Sequence, residues 1–248
     1  MLILLPPSEA KATRARGRPV DPSTWSFPAL APTRERVSRA LGAASTSPDA
    51  ARLLGVSEGL LDEVARNLRL DTAPAMPAAE VYTGVLYDAL DLASLDPASR
   101  RRANRWVVII SALHGAVRLG DRITAYRLAM GATLPGIGPL ATAWRPALQQ
   151  VLPGAAGRGV VVDCRSAPYA AAWRPDPDLA SRWVQIRAPG ASHMAKHTRG
   201  LVTRHLCESG VTTRSVPTVA EVVGSALDVA LHEPVRPGAP WVLDVRPG

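Results

Sequence analysis

Cysteine is scarce. Cys164 and Cys207 are the only two in 248 residues, and they lie far apart, without the paired spacing of a zinc site. That excludes a disulfide scaffold and fits a reducing compartment. Long apolar runs are missing as well: nothing approaches the ~20 residues of a bilayer span. The opening Met-Leu-Ile-Leu-Leu-Pro-Pro has no charged segment ahead of its few apolar residues, so it reads as a first strand rather than an export signal. The expectation is a soluble, cytoplasmic protein with no membrane partner. Two chemical signatures are also absent, a glycine-rich phosphate loop ending in Lys-Ser/Thr and a G-x-S-x-G nucleophile elbow.

What is abundant is positive charge. Lys plus Arg number 29 against 21 Asp plus Glu, giving +8 and a sequence pI near 10.4. Such a balance attracts polyanions without regard to sequence. It also arises in proteins of Arg-rich, high-GC genomes, a bias that the Ala, Arg and Pro content here suggests.

Buried strands are predicted at Leu2–Leu5, Trp106–Ile110, Val160–Cys164, Trp183–Arg187 and Trp241–Val245, each a nearly continuous apolar run. Helical stretches alternate with them, as in a sheet covered on both faces. Helices are predicted over Thr33–Ala44, capped at Thr33, and over Ala78–Leu92. Residues 50–66 read as a helical hairpin that resembles a helix-turn-helix DNA reader, although Glu58, Asp62 and Glu63 oppose phosphate contact. No linker separates domains, so residues 1–248 are expected to form a single domain.

The segment Ser192–Leu206 divides most cleanly into two faces. Met194, Ala195, Thr198, Leu201, Val202 and Leu206 share one side, and His205 intrudes on it. The other side carries His193, Lys196, His197, Arg199, Thr203 and Arg204 with no carboxylate. Ser192 is a good N-cap, and Gly210 a plausible stop. Gly200 sits in the middle of the basic face at a cost of about 1 kcal/mol relative to alanine. Either a ligand backbone approaches there, or another helix does. His193 and His197 have the i,i+4 spacing of a metal pair but lack the glutamate of H-E-x-x-H, so no metal and no cofactor are assigned.

Polar clusters follow three strands. Ser8 and Lys11 come after the first; Ser111, His114, Arg118, Asp121, Tyr126 and Arg127 after the second; Asp163, Arg165, Ser166 and Tyr169 after the third. If the strands are parallel, their carboxyl ends line one crevice. Cys164 is either a thiol activated by Arg165 or a small buried hydrophobe.

These residues carry a family resemblance. Leu4-Leu5-Pro6-Pro7-Ser8-Glu9-Ala10-Lys11, Val81 to Tyr87, Ser111 to Gly115, Arg118, Asp121, Tyr126-Arg127-Leu128, Met130-Gly131, Trp144-Arg145, Asp163 to Tyr169 and S-H-x-x-K-x-x-R-G at Ser192–Gly200 follow the order of the YaaA family of peroxide-stress proteins. His114 stands where that family has an aromatic residue. The resemblance implies a single α/β (mixed α+β) domain whose central, mostly buried sheet is flanked by helices, with a positively charged cleft and a helix-hairpin-helix-like element. It also implies a DNA-binding protein that limits iron-driven damage under hydrogen peroxide. Double-stranded or distorted DNA is then the expected partner, bound in a sequence-tolerant way through Ser8, Lys11, Arg118, Arg127, Arg165, His193, Lys196, Arg199, Gly200 and Arg204. The alternative is an enzyme acting on a nucleotide or other phosphorylated small molecule, with Ser111, His114, Asp163 and Lys196 as catalytic candidates.

Overall fold

The computed structural model describes residues 1–190 and 192–246. Its centre is a seven-stranded sheet. In chain order the strands are β1 (Leu2–Leu5), β2 (Val107–Ser111), β3 (Gly115–Arg118), β4 (Val161–Asp163), β5 (Trp183–Arg187), β6 (Asp228–His232) and β7 (Trp241–Arg246). Across the sheet they run β6-β7-β5-β4-β1-β2-β3. The five inner strands are parallel, and an antiparallel strand closes each edge. Leu2–Leu5, Val107–Ser111 and Val161–Asp163 are buried throughout, as parallel strands covered on both faces must be.

Six longer helices cover the sheet: α1 (Ala31–Ser45), α2 (Val85–Leu90), α3 (Pro97–Trp106), α4 (Leu140–Ala156), α5 (Ser192–Ser209) and α6 (Val216–Gly224). Helix α5 packs against α2, α3 and α6, while α1 and α4 pack on one another. Among the described residues, no helix is long and apolar enough to cross a membrane. Mixed α/β architecture around a buried central sheet is therefore what the chain forms.

Several boundaries differ from expectation. The helix expected over Ala78–Leu92 is two short ones, Ala78–Val81 and α2, separated at Gly84, whose φ of +91° is open to glycine but strained for other residues. Trp106 ends α3 instead of starting a strand. Helix α1 begins at Ala31 with Pro32 in its first turn, which puts Thr33 inside the helix rather than at its cap. The expected Ser192 cap depends on a side chain outside those described.

Topology fixes where a site belongs. From β1 the chain crosses to β2 on one side, then returns to β4 on the other. The carboxyl ends of β1 and β4 thus flank the point where strand order reverses, the usual ligand position in an open α/β sheet.

Candidate functional site at the strand carboxyl ends

Pro6-Pro7 terminates β1 and turns the chain across the switch point. The Tyr87 hydroxyl donates to Pro6 O at 2.8 Å, and the Thr83 amide donates to Ser8 Oγ at 3.1 Å. Lys11 forms a bridge pair with Tyr82, and the Ala12 amide donates to Val81 O. The loop after β1 is thereby stapled to residues 81–83.

Staples of this kind hold the half-buried Lys11 over two aromatic rings. Its Nζ donates to Ser8 O at 2.8 Å and Glu9 O at 3.1 Å, and stands 4.4 Å from the Tyr126 ring centroid and 5.9 Å from that of Tyr82. Removal from water, then the nearby Arg127, lowers the ammonium pKa to about 7, although Glu63 and Glu9 oppose the shift.

Beneath Lys11 lies a chain of hydroxyls. Ser111 Oγ accepts the amides of Leu113 and His114 at 3.2 and 3.0 Å, which uses both lone pairs. Its proton must then go to Tyr126 Oη, 2.7 Å away, and Tyr126 in turn donates to Tyr82 Oη at 3.1 Å. Burial pushes both phenols above their ordinary range, so they remain protonated donors. Arg127 forms the side wall. Its amide donates to Asn67 Oδ1, Asn67 Nδ2 donates back to its carbonyl, and its guanidinium pairs with Glu63 at 3.3 Å. Residues 50–66, the possible DNA reader, thus supply an acid to this wall.

The segments that meet here are Pro6–Lys11, Val81–Tyr87, Ser111–His114, Tyr126–Arg127 and, through Tyr169, the loop after β4, which are the dispersed blocks that carried the resemblance. A family model described as peroxide stress protein YaaA matches residues 1–222. The chain belongs to the YaaA family of peroxide stress proteins. A UPF0246 protein of Streptomyces coelicolor is 46% identical, covering 99% of this chain and 98% of that protein. One from Corynebacterium efficiens is 37% identical, covering 94% and 96%.

Within this YaaA-family fold the expected site residues separate. Ser8, Lys11, Ser111 and Arg127 come together. His193 and Lys196 are exposed on α5. Gly200 packs on Leu86 and Leu90 while Arg204, a turn later, reaches the carbonyls of Leu90 and Asp91. Helices α5 and α2 therefore advance in the same direction. Lys196 lies one turn, about 6 Å, before Gly200 along the helix. Arg199 is near enough to Cys164 to influence its thiol, and its Nε is buried with no hydrogen-bond partner among the described residues.

Five expected site residues have other roles. Arg165 and Asp163 form a buried ion pair at 2.7 Å; Arg165 also donates to the Tyr169 and Trp173 carbonyls, and Trp183 Nε1 donates to Asp163. Neither is free for an anion or for acid–base work, because their polar atoms are already partnered. Arg118 lies at the opposite end of the sheet, since β3 runs antiparallel and pairs it with Val108; its guanidinium donates to Arg105 O at 2.6 Å. Gly200 is a helix–helix contact, its missing Cβ replaced by Leu86 O. Arg204 caps the end of α2 and pairs with Glu208 at 2.9 Å.

Burial raises the Cys164 thiol to about 12, so it behaves as a small core residue. His114 lies 5% exposed between Trp25 and Tyr126, with centroids 4.9 and 5.3 Å away. Desolvation, then Arg34 and Lys11, depress its pKa to about 3. Such a group is a poor proton acceptor at neutral pH. It also gives a stability prediction. Between the unfolded value near 6.5 and the folded value, only the unfolded chain takes the proton, so stability falls by a few kcal/mol as pH drops through that window. In His114→Phe this part of the acid limb should flatten when urea midpoints are followed from pH 7 to 4.

Asn67 has no expected role from sequence, Tyr82 enters only within the block that carries the resemblance, Tyr126 only as a member of the polar cluster after the second strand, and Glu63 only as an acid opposing phosphate contact. Tyr82, in the mostly apolar run Val81–Tyr87, looks like core, and only the pairing of its hydroxyl with Tyr126 distinguishes it.

Proposed function

We propose that this peroxide-stress protein binds duplex or distorted DNA, in a sequence-tolerant way, along the strand carboxyl ends. The observation that carries the reading is the arrangement of cations on both sides of the switch point. Lys11 and Arg127 stand on one side, with Arg66 close enough to act on Lys11. His193, Lys196 and Arg199 lie in the first turns of α5, and Arg199 is near Cys164, the residue that follows β4 on the other side. A net charge of +8 adds long-range attraction. Occupied phosphates would offer fewer sites to ferrous ions, which is how binding would limit peroxide damage.

Anisotropy titrations of a labelled duplex at several salt concentrations test this reading. Log Kd should vary with log salt by about 0.9 per neutralised phosphate. Lys196→Gln should weaken binding to all sequences alike and reduce the slope by about 1. Salt-independent binding, or none at low salt, rules the reading out.

A second reading, an enzyme acting on a nucleotide or other phosphorylated small molecule, is favoured by the hydroxyl chain under Lys11. Clustered, perturbed ionisable groups at a switch point are what catalysis requires. Strong thermal stabilisation by one phosphorylated metabolite, abolished in Lys11→Met, would support it over DNA binding.

A further inference from the structure

We propose that Lys11 is an amine nucleophile that captures the aldehyde carbon of a ring-opened, phosphate-bearing sugar as an imine. The first argument comes from composition. The chain uses arginine for nearly all of its 29 basic residues and keeps only two lysines, Lys11 and Lys196. An arginine could supply charge at position 11 equally well, but its guanidinium is permanently protonated, whereas a lysine amine can be freed.

The second argument is geometric. Carbonyls of Ser8 and Glu9 hold Nζ at the switch point of the sheet, and the Tyr126 ring beneath it excludes water from one side. The charged groups facing Lys11 are Arg127 and Arg66, which disfavour its ammonium form, and Glu63 and Glu9, which favour it. Burial outweighs the acids, so about half of the amine is free near pH 7. A desolvated lysine beside other cations is a recognised way to activate an amine toward carbonyls. The same two arginines would attract the phosphate of the incoming sugar.

The chemistry balances without an oxidant or reductant. The Nζ lone pair attacks the aldehyde carbon, and the carbonyl oxygen takes a proton to give a carbinolamine. Loss of that oxygen as water, with the nitrogen shedding its remaining proton, leaves the imine. Two sources present such an aldehyde: an abasic site in DNA, which hydroxyl-radical damage creates, and a free aldose phosphate. The DNA source depends on the DNA-binding reading above; the amine chemistry does not.

The test is reductive trapping of the full chain with sodium cyanoborohydride. One arm uses ribose 5-phosphate and the other a duplex with a single abasic site. Each is followed by intact mass measurement and peptide mapping. With two lysines and the terminal amine of Met1 as the only candidates, assignment is unambiguous. The expected result is at least tenfold more adduct on Lys11 than on Lys196, rising with pH through a midpoint near 7, and none at position 11 in Lys11→Arg. The comparison within the native chain decides the matter even if that variant does not fold. Adduct spread equally over the amines, or trapping of neither probe, overturns the proposal. Trapping of ribose 5-phosphate alone supports the proposal and assigns the free sugar as source. Normal binding of an intact duplex with no trapping of either probe overturns the imine chemistry while leaving DNA binding in place.

Discussion

Asp163→Leu should cost about 3–5 kcal/mol of unfolding free energy, because it leaves the Arg165 guanidinium buried without its counter-charge. Both side chains are almost wholly enclosed, at 0% and 1% exposure. The carboxylate accepts from Arg165 Nε at 2.8 Å, from one of its terminal nitrogens at 2.7 Å, and from Trp183 Nε1 at 3.2 Å. Arg165 in turn holds the carbonyls of Tyr169 and Trp173, which shape the loop after β4. Asp163→Leu combined with Arg165→Met removes both charges and should recover part of the loss. Recovery is incomplete because those two carbonyls lose a donor. Urea unfolding followed by tryptophan fluorescence measures all three chains. A single-variant cost below about 1 kcal/mol would contradict the account of a buried, partnered pair.

The same pair shows why charge is legible in a sequence while its use is not. Arg165, Arg118 and Arg204 belong to the expected basic cleft because cations outnumber acids in the clusters that follow the strands and along α5. In the fold they serve other ends: Arg165 meets Asp163 across a tight turn, Arg118 is carried to the far edge by an antiparallel strand, and Arg204 caps a helix 110 or more residues away in sequence. Only the near partners, Asp163 two residues from Arg165 and Glu208 four from Arg204, are within reach of sequence spacing; the backbone carbonyls these arginines and Arg118 hold are set by the tertiary fold.

Strands were the most legible elements. Leu2–Leu5, Val160–Cys164 and Trp183–Arg187 belong to parallel strands of the sheet interior, and they appear as apolar runs broken only at Asp163, Gln185 and Arg187. Edge strands lacked that signal. Asp228–His232 alternates between exposed and half-buried positions, and Gly115–Arg118 has four residues opening on glycine. Helix α4 was missed because Pro146 and Pro153 lie inside it and interrupt its pattern. At the site, Ser8, Lys11 and Arg127 were legible as polar groups following strands. The Tyr82–Tyr126–Ser111 chain was not, since its members lie far apart in sequence and meet only when the loop after β1 is stapled to residues 81–83.

Gly200 decides between the two meanings of the α5 face, and its substitution should be felt as lost stability. A Cβ built there would lie 2.3 Å from Leu86 O, 2.8 Å from the Ala89 methyl and 3.1 Å from Leu90 N. Two of these three are backbone atoms of α2 and cannot turn aside, so the helices must separate. Gly200→Ala should therefore destabilise by about 1–3 kcal/mol, the usual cost of overpacking, despite a helix-propensity gain of about 1 kcal/mol. Gly200→Leu should prevent α5 from docking and lower the melting temperature far more. Gly42→Ala is the matched control, because Gly42 lies within α1 and a Cβ added there would meet nothing within 4 Å. That substitution should stabilise by up to about 1 kcal/mol, since only propensity and unfolded-chain entropy act. Opposite signs for the same chemical change at two helical glycines would assign the difference to the contact with α2. If Gly200→Ala instead matches Gly42→Ala, the two helices do not pack through Gly200, and the basic face of α5 is open along its length.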